Sequence, residues 1–273
     1  MKKRLTIALA LLGLLILWLL WGNTALEVST FVIEDEKLPS AFDGFRIAQV
    51  SDLHNGDLWE HVIEELEEIQ PDLIVLTGDL IDSSKTDVAA ALAFAERATD
   101  VAPCYYVSGN HEAWSPGDWE ELRAGLVQTG VLVLEDEKIA LEREGEAVKL
   151  LGLRDPAFGS NLATVLEALT AGEDGFTILL SHRPERLPVY AEYGVDLVFS
   201  GHAHGGQFRI PFLGGLIAPD QGLFPEYDAG RYELGDTTML LSRGVGNSII
   251  PLRLNNRPEI LVAELKVSVG NSE

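Results

Sequence analysis

Cysteine is almost missing from this chain of 273 residues: Cys104 stands alone. No intrachain disulfide can form, so the fold must rest on its core or on metal. Cys104 sits between Pro103 and an apolar run and reads as a small buried residue. Histidine is scarce, at six residues, and basic residues are outnumbered 20 to 43 by acidic ones, for a net charge of −23. A surface of that sign repels nucleic acid at long range, so no specific nucleic-acid binding is expected. Internal repeats and low-complexity linkers are missing too. Residues 40–267 therefore read as one globular domain, with 22–39 as a connecting segment or edge strand.

Charge is also missing from Leu5 to Trp21, "LTIALALLGLLILWLLW". A helix of that length spans roughly 25 Å, at the short end of what crosses a bilayer. The basic residues Lys2, Lys3 and Arg4 precede it and place residues 1–4 in the cytoplasm as a basic tail. Residues 5–21 are then a single-pass transmembrane signal-anchor, and the remaining chain lies outside the cytoplasm at the cell membrane. Cleavage near Ala25, giving a secreted enzyme, is the competing expectation. Trp18 and Trp21 suit an interfacial aromatic belt.

Beyond residue 39 the chain alternates between two patterns. Apolar runs at 45–51, 73–78, 105–109, 148–153, 176–181, 197–201, 238–244 and 259–265 are mostly continuous, as in strands buried on both faces. Amphipathic stretches at 58–69, 87–98, 118–128 and 161–171 repeat with helical period, and Pro184 opens a further short helix. The alternation predicts an α/β sandwich.

Polar residues collect where these strands end: Asp52-Leu53-His54, Gly78-Asp79, Gly109-Asn110-His111-Glu112, His182, and Gly201-His202-Ala203-His204. Ligands of α/β sheets bind outside the carboxyl ends of the strands. A lone Asp there is usually a turn residue and a lone His a structural one. Five of the six histidines falling in these stretches is a different matter; only His61, on a helix, lies elsewhere. Adjoining glycines permit sharp turns and close approach. His202 and His204, read as extended, present both rings on one side of the chain. Imidazole and carboxylate without thiolate suit Mn, Fe, Zn, Ni or Co. Asp52, His54, Asp79, Asn110, His182, His202 and His204 are too many for one ion; one bridging carboxylate gives two ions four protein ligands each. Two ions about 3.5–4 Å apart clamp an in-line displacement at phosphorus and make a hydroxide nucleophile from a shared water near neutral pH.

In order and spacing these stretches resemble the calcineurin-like metallophosphoesterases, whose pattern is D-x-H, G-D, G-N-H-[DE], an isolated H, and G-H-x-H. The pattern spans Asp52 to His204. The tail "SRGVGNSIIPLRLNNRPEI" and the apolar N-terminus resemble the membrane-anchored YaeI/YkuE-type phosphodiesterase branch. The resemblance implies a four-layer αββα sandwich after one transmembrane helix, with strands beyond His204 forming much of the second sheet. It implies two divalent ions, Mn favoured. Asp52, His54 and His204 would hold one and Asn110, His182 and His202 the other, with Asp79 bridging. His111 would contact the phosphate and protonate the leaving group, with Glu112 as its orienting partner.

The substrate is read only coarsely. Asn55, Arg183 and Arg243 are candidate phosphate contacts. Trp114, Trp119 and "IPFLGGLIAP" (210–219) form an apolar wall by the site or pack the core. With the anchor, such a wall suggests a lipid-linked phosphodiester. The expected activity is that of a two-metal phosphodiesterase. Alternatives are a pyrophosphatase of the UDP-2,3-diacylglucosamine type, a phosphomonoesterase, or a catalytically silent metal-binding scaffold. The outside topology argues against the first, and intact His111 and Asp79 against the last.

Overall fold

The computed structural model describes residues 2–172, 174–247 and 250–268. Met1 of the basic tail, and Ser248 and Ile249 of the stretch "SRGVGNSIIPLRLNNRPEI", lie outside the described residues. The chain opens with helix α1 (Lys2–Thr24), which begins within the basic tail and buries none of its residues. Its length and apolarity make it a candidate membrane span.

Two six-stranded sheets carry the domain. The first holds β1 (Glu27–Asp35), β2 (Arg46–Val50), β3 (Leu73–Thr77), β4 (Cys104–Val107), β5 (Leu132–Val133) and β16 (Glu259–Val267), in the order β1-β16-β2-β3-β4-β5. The second holds β6 (Glu137–Arg143), β7 (Glu146–Gly152), β8 (Thr177–Leu180), β9 (Leu197–Ser200), β14 (Gly230–Leu234) and β15 (Thr237–Leu241), in the order β14-β15-β9-β8-β7-β6. Strands β2 to β5 are parallel, as are β7, β8, β9 and β15. Two hairpins, β10 (Arg209–Ile210) with β11 (Gly214–Gly215) and β12 (Ile217–Ala218) with β13 (Gly222–Leu223), form a separate small lobe.

The central strands alternate between two cores. Ile47, Val75, Val107 and Leu261 of the first sheet meet Leu150, Ile178 and Phe199 of the second. The opposite face of the first sheet, with Ala48, Ile74 and Leu76, packs on α2 (Trp59–Ile69), α3 (Val88–Val101) and α5 (Pro116–Thr129) through Val62, Leu66, Phe94 and Leu122. The outer face of the second, with Leu151, Leu179 and Val198, packs on α6 (Leu162–Thr170) and α7 (Leu187–Glu192) through Leu166 and Tyr190. Both faces of each sheet are therefore covered, which is why these strands read as unbroken apolar runs. The layers run α, β, β, α.

Within the 22–39 segment, read as a connection or an edge strand, residues 27–35 form an edge strand, parallel to β16 with Glu27 opposite Glu259; it half-buries alternate residues and so lacks a continuous apolar run. Two departures from the sequence reading have physical causes. Strands after His204 divide between the sheets: β14 and β15 join the second, while β16 returns to the first, antiparallel to β2. Helix α4 (Asn110–Trp114) has only five residues, too few for any periodicity to register.

The end of α1 is held by the domain. Asn23 donates to the Arg253 carbonyl (3.0 Å) and accepts from the Arg253 N–H (2.6 Å). The Arg257 guanidinium lies 4.7 Å from the Trp21 ring centroid and donates from Nε to the Ala25 carbonyl (2.9 Å).

Candidate metal centre

The loops leaving β2, β3, β4, β8 and β9 converge at one end of the sandwich. They bring the ligand atoms of Asp52, His54, Asp79 and His204 within 4.8 Å of one another, and those of Asp79, His182 and His202 likewise. Asp79 belongs to both groups. A third group, His54, Asp82 and His111, adjoins them.

The backbone is bent to achieve this. Asp52, His54, Asp79, His202 and His204 all have φ between 48° and 70°. That left-handed region costs an ordinary residue about 1–3 kcal/mol and persists where the surroundings over-determine it. The constraint comes from the loops themselves: the Asp52 N–H donates to the Gly78 carbonyl (3.1 Å), the His54 N–H to the Asp79 carbonyl (3.0 Å) and the His202 N–H to the Asp52 carboxylate (3.1 Å). Two glycines are required for close approach rather than for φ. A Cβ at Gly109 would collide with Asp79 Oδ1, and one at Gly201 with Asp52 Oδ2 and Ser51 Oγ.

The H-x-H segment is not extended. His202 and His204 take positive φ, Ala203 between them is helical, and the turn sends the rings to different groups. His204 Nε2 lies 3.2 Å from His54 Nε2 and 3.3 Å from Asp52 Oδ1. His202 Nδ1 lies 3.1 Å from His182 Nε2. His182 Nε2 in turn is 3.2 Å from Asp79 Oδ2.

Outer contacts set which nitrogen faces inward. His182 Nδ1 donates to the Thr77 carbonyl (2.7 Å), leaving Nε2 toward Asp79. His202 Nε2 lies 2.9 Å from both Asp220 Oδ2 and Arg183 Nη1, with Asp220 also accepting from Arg183, and these contacts leave His202 Nδ1 toward His182. Such orienting partners are a regular feature around metal-ligating histidines.

The electrostatics favour a cation. Burial lowers His54 and His202 to about 4, and His204 well below its ordinary value, so all three rings are neutral with free lone pairs. Burial opposes ionisation of Asp79, but His182 and His54 outweigh it and hold this carboxyl well below the usual range. Burial likewise opposes a charge on His182, yet Asp79 and Asp52 raise it to about 10. Burial pushes Asp52 up. Asn110 is buried, and its Oδ1 has no hydrogen-bond partner. Converging carboxylates, neutral imidazoles and an orphaned amide oxygen fit a pair of divalent ions.

The centre opens into a cavity of about 670 Å³ whose wall includes Asp79, Asn110, His111, His202, His204 and Trp114. His111 is oriented by Ser83, not by Glu112. The Ser83 N–H donates to His111 Nδ1 (3.0 Å), with Ser83 Oγ 3.1 Å away. Glu112 is buried and accepts from the N–H groups of Gly109 (2.8 Å), Asp79 (3.0 Å), Leu80 (2.9 Å) and Ile81 (3.3 Å). It ties the β3 loop to the β4 loop, and burial and Asp79 push its carboxyl up to about 7.

The three expected phosphate contacts are engaged elsewhere. The Asn55 amide accepts from the N–H groups of Asp82 and Asp87 and donates to the Asp87 carbonyl, closing the 82–87 loop. Arg183 is a fork on Asp155, with Nε to Oδ2 (2.6 Å) and Nη2 to Oδ1 (3.0 Å), and also meets Asp220. Arg243 lies in a different cavity, beside Trp18 and Trp21, paired with Glu27 (3.1 Å) and Glu259 (2.8 Å). Their own chain supplies the acceptors that a phosphate would have offered. Trp114 lines the cavity, 5.0 Å from His111, whereas Trp119 is buried against Tyr106.

Asp82, Ser83, Asp155 and Asp220 were missed in the sequence. Asp82 and Asp155 follow strand ends, as the expected ligands do, and that signal applied to them. Ser83 and Asp220 sit in loops with no pattern of their own.

A family model described as calcineurin-like phosphoesterase matches residues 45–206, more than half of the chain. The uncharacterized metallophosphoesterase YkuE of Bacillus subtilis is 32% identical over 256 residues, covering 88% of this chain and 86% of YkuE. The phosphodiesterase YaeI of Escherichia coli is 31% identical, covering 81% and 82%. A transmembrane protein with metallophosphoesterase domain from Danio rerio is 29% identical, covering 85% of this chain and 55% of that protein. Among solved structures, the phosphopantetheinyl hydrolase PptH of Mycobacterium tuberculosis superposes with TM-score 0.51 at 12% identity, covering 75% of this chain and 91% of PptH. The chain belongs to the calcineurin-like metallophosphoesterases, hydrolases that act on phosphoester bonds.

Proposed function

We propose that this chain is a membrane-anchored, two-metal phosphodiesterase. The observation that carries the reading is Asp79, shared by two ligand groups at the floor of a cavity that His111 also lines. Asp52, His54 and His204 would hold one ion and Asn110, His182 and His202 the other, with Asp79 between them; manganese suits this thiolate-free set. Two divalent ions, when bound, supply Lewis-acid stabilisation of phosphoryl oxygens and an acidified water.

The chain's own residues do the rest. Because Ser83 N–H donates to Nδ1, the neutral His111 ring carries its proton on Nε2. That proton is offered as a hydrogen bond to a phosphoryl or leaving oxygen in the cavity. Full transfer from a protonated ring requires Ser83 Oγ, 3.1 Å from Nδ1, to turn and accept. Glu112 keeps the Asp79 loop in place, and Trp114 walls the cavity beside His111.

The anchor reading is supported by Asn23 and Trp21, which the domain grips through Arg253 and Arg257. Lys2, Lys3 and Arg4, which open α1 ahead of its apolar run, favour a catalytic domain outside the cytoplasm.

The test uses the full chain in nanodiscs: metal per chain by mass spectrometry, and turnover of a phosphodiester, a phosphomonoester and a nucleotide-diphosphate lipid. Two ions and fastest turnover of the diester are expected, both lost in Asp79→Ala. No ester turned over despite two bound ions overturns the proposal.

A further inference from the structure

The lobe built by β10 to β13 has no part in the metal centre beyond Pro219 and Asp220, and although Ala218 packs on Ala203 and Leu241, the large apolar side chains at its tip stay bare. Phe212 is fully exposed, and Leu213, Leu223 and Phe224 are 68%, 68% and 60% exposed. Four large apolar side chains bare on one small lobe exceed the scattered exposure normal for a soluble surface. The lobe is also emptied of charge, in a chain of net charge −23. Between Phe208 and Phe224 only Arg209 and Asp220 are charged, and both are engaged. Arg209 binds Asp228 (3.2 Å) and the Gly205 carbonyl (3.0 Å), and Asp220 binds His202 and Arg183.

The lobe shares its root with the anchor. Phe208 bridges Leu254, and the Arg209 N–H donates to the Leu254 carbonyl (2.9 Å). The residue before, Arg253, is the one gripping Asn23 at the end of α1. Ile250 and Leu252, also exposed, lie on the same strip, and Gln207 donates to both of their carbonyls. One short segment thus clasps a candidate membrane span on one side and, on the other, an apolar lobe whose two charges are paired.

We propose that the lobe is a second membrane contact: Phe212, Leu213, Leu223 and Phe224 bed in the leaflet from which α1 emerges. Apolar side chains on an uncharged tip partition into the interface, and a neighbouring anchor supplies the local concentration. An apolar cavity of about 440 Å³ under the lobe, walled by Ile217, Ala218, Pro219 and Ile250, meets the metal cavity at His204, Pro219 and Asp220. Resting on the hydrolase reading, the contact then lets an ester carrying an alkyl chain reach the centre without leaving the bilayer.

The test uses the full chain in nanodiscs of zwitterionic and anionic phospholipid. A nitroxide is placed at Phe212→Cys and, as reference, at Glu142→Cys, on the end of β6 away from the metal centre. Cys104 does not compete, being buried, with its thiol pushed up to about 12. Oxygen collisions exceeding those of a water-soluble nickel chelate at 212, with the reverse at 142, are expected. Water-like accessibility at 212 overturns the proposal. So does spin–spin broadening at 212 that disappears on dilution with unlabelled chain, since a second copy then covers the patch.

A second variant, Phe212→Ser with Leu213→Ser, changes only exposed side chains. Turnover of a bilayer-embedded dialkyl phosphodiester is expected to fall about tenfold, and that of a short water-soluble diester to stay within about twofold. Equal loss on both esters overturns the substrate consequence. Lipid-like accessibility at 212 with neither ester cleaved leaves the membrane contact standing and removes the hydrolase reading instead.

Discussion

Glu112→Gln separates a scaffold residue from a catalytic partner. The carboxylate accepts four backbone N–H groups, Asp79 and Gly109 on Oε2, Leu80 and Ile81 on Oε1. An amide has one oxygen, so its NH₂ must face one of these pairs. The shorter pair, at 3.0 and 2.8 Å, keeps the oxygen, and the NH₂ then opposes Leu80 (2.9 Å) and Ile81 (3.3 Å). A buried donor left without an acceptor costs about 1–3 kcal/mol. Leu80 bears most of this, since the Ile81 bond is long, and the expected loss is about 2 kcal/mol. Because the Glu112 carboxyl already sits near 7, removing its charge adds little. For a domain of this size the loss lowers the melting temperature by about 4–8 °C. The β3 loop carries Asp79, so metal occupancy falls with it. The assay is calorimetric melting beside metal content, with hydrolysis of esters whose leaving groups differ in basicity. A merely destabilised enzyme loses rate equally on all of them. Unchanged melting and metal content, with a loss confined to basic leaving groups, would refute the scaffold reasoning and restore Glu112 as the orienting partner of His111.

The geometry implies three further outcomes. Gly109→Ala removes no ligand, yet its Cβ would strike Asp79 Oδ1; both ions are expected to be lost together in a metal titration, and retention of either shows that the loop has room to shift. Asp220→Asn weakens the hold on His202 Nε2, and affinity for one of the two ions is expected to fall about 10–100-fold; equal weakening of both refutes the assignment. In the metal-free protein His182 is held protonated near 10, so metal uptake at neutral pH must displace that proton and must tighten as pH rises. Calorimetric titration in buffers of different ionisation enthalpy checks this, and a heat independent of buffer counts against it.

Much of the architecture was legible because burial on both faces leaves an unmistakable pattern. The runs at 45–51, 73–78, 176–181 and 197–201 became β2, β3, β8 and β9, and the helical stretches at 58–69 and 161–171 became α2 and α6. Half-buried β1 and β6, and five-residue α4, left no such trace. The residue types at the strand ends announced metal chemistry, since seven Asp, Asn and His side chains in five such stretches form a ligand set without thiolate. Partnership was not legible. Arginine and asparagine beside the motifs were read as phosphate contacts, yet Arg183, Arg243 and Asn55 are consumed by Asp155, Glu259 and the 82–87 loop.

The sequence by itself determined local facts: a span of uncharged residues, the periods of strands and helices, and a set of side chains able to bind a cation. These depend on neighbours within a few positions along the chain. Tertiary structure decided the rest, because the deciding contacts join residues far apart in sequence. It gave Ser83 to His111 and Glu112 to the Asp79 loop, and it turned His202 and His204 to opposite groups through a bend that an extended reading hides. It also left most of the "IPFLGGLIAP" segment, which sequence alone placed between core and wall, exposed beside the strip that grips the end of α1, with Ala218 alone of its apolar side chains buried.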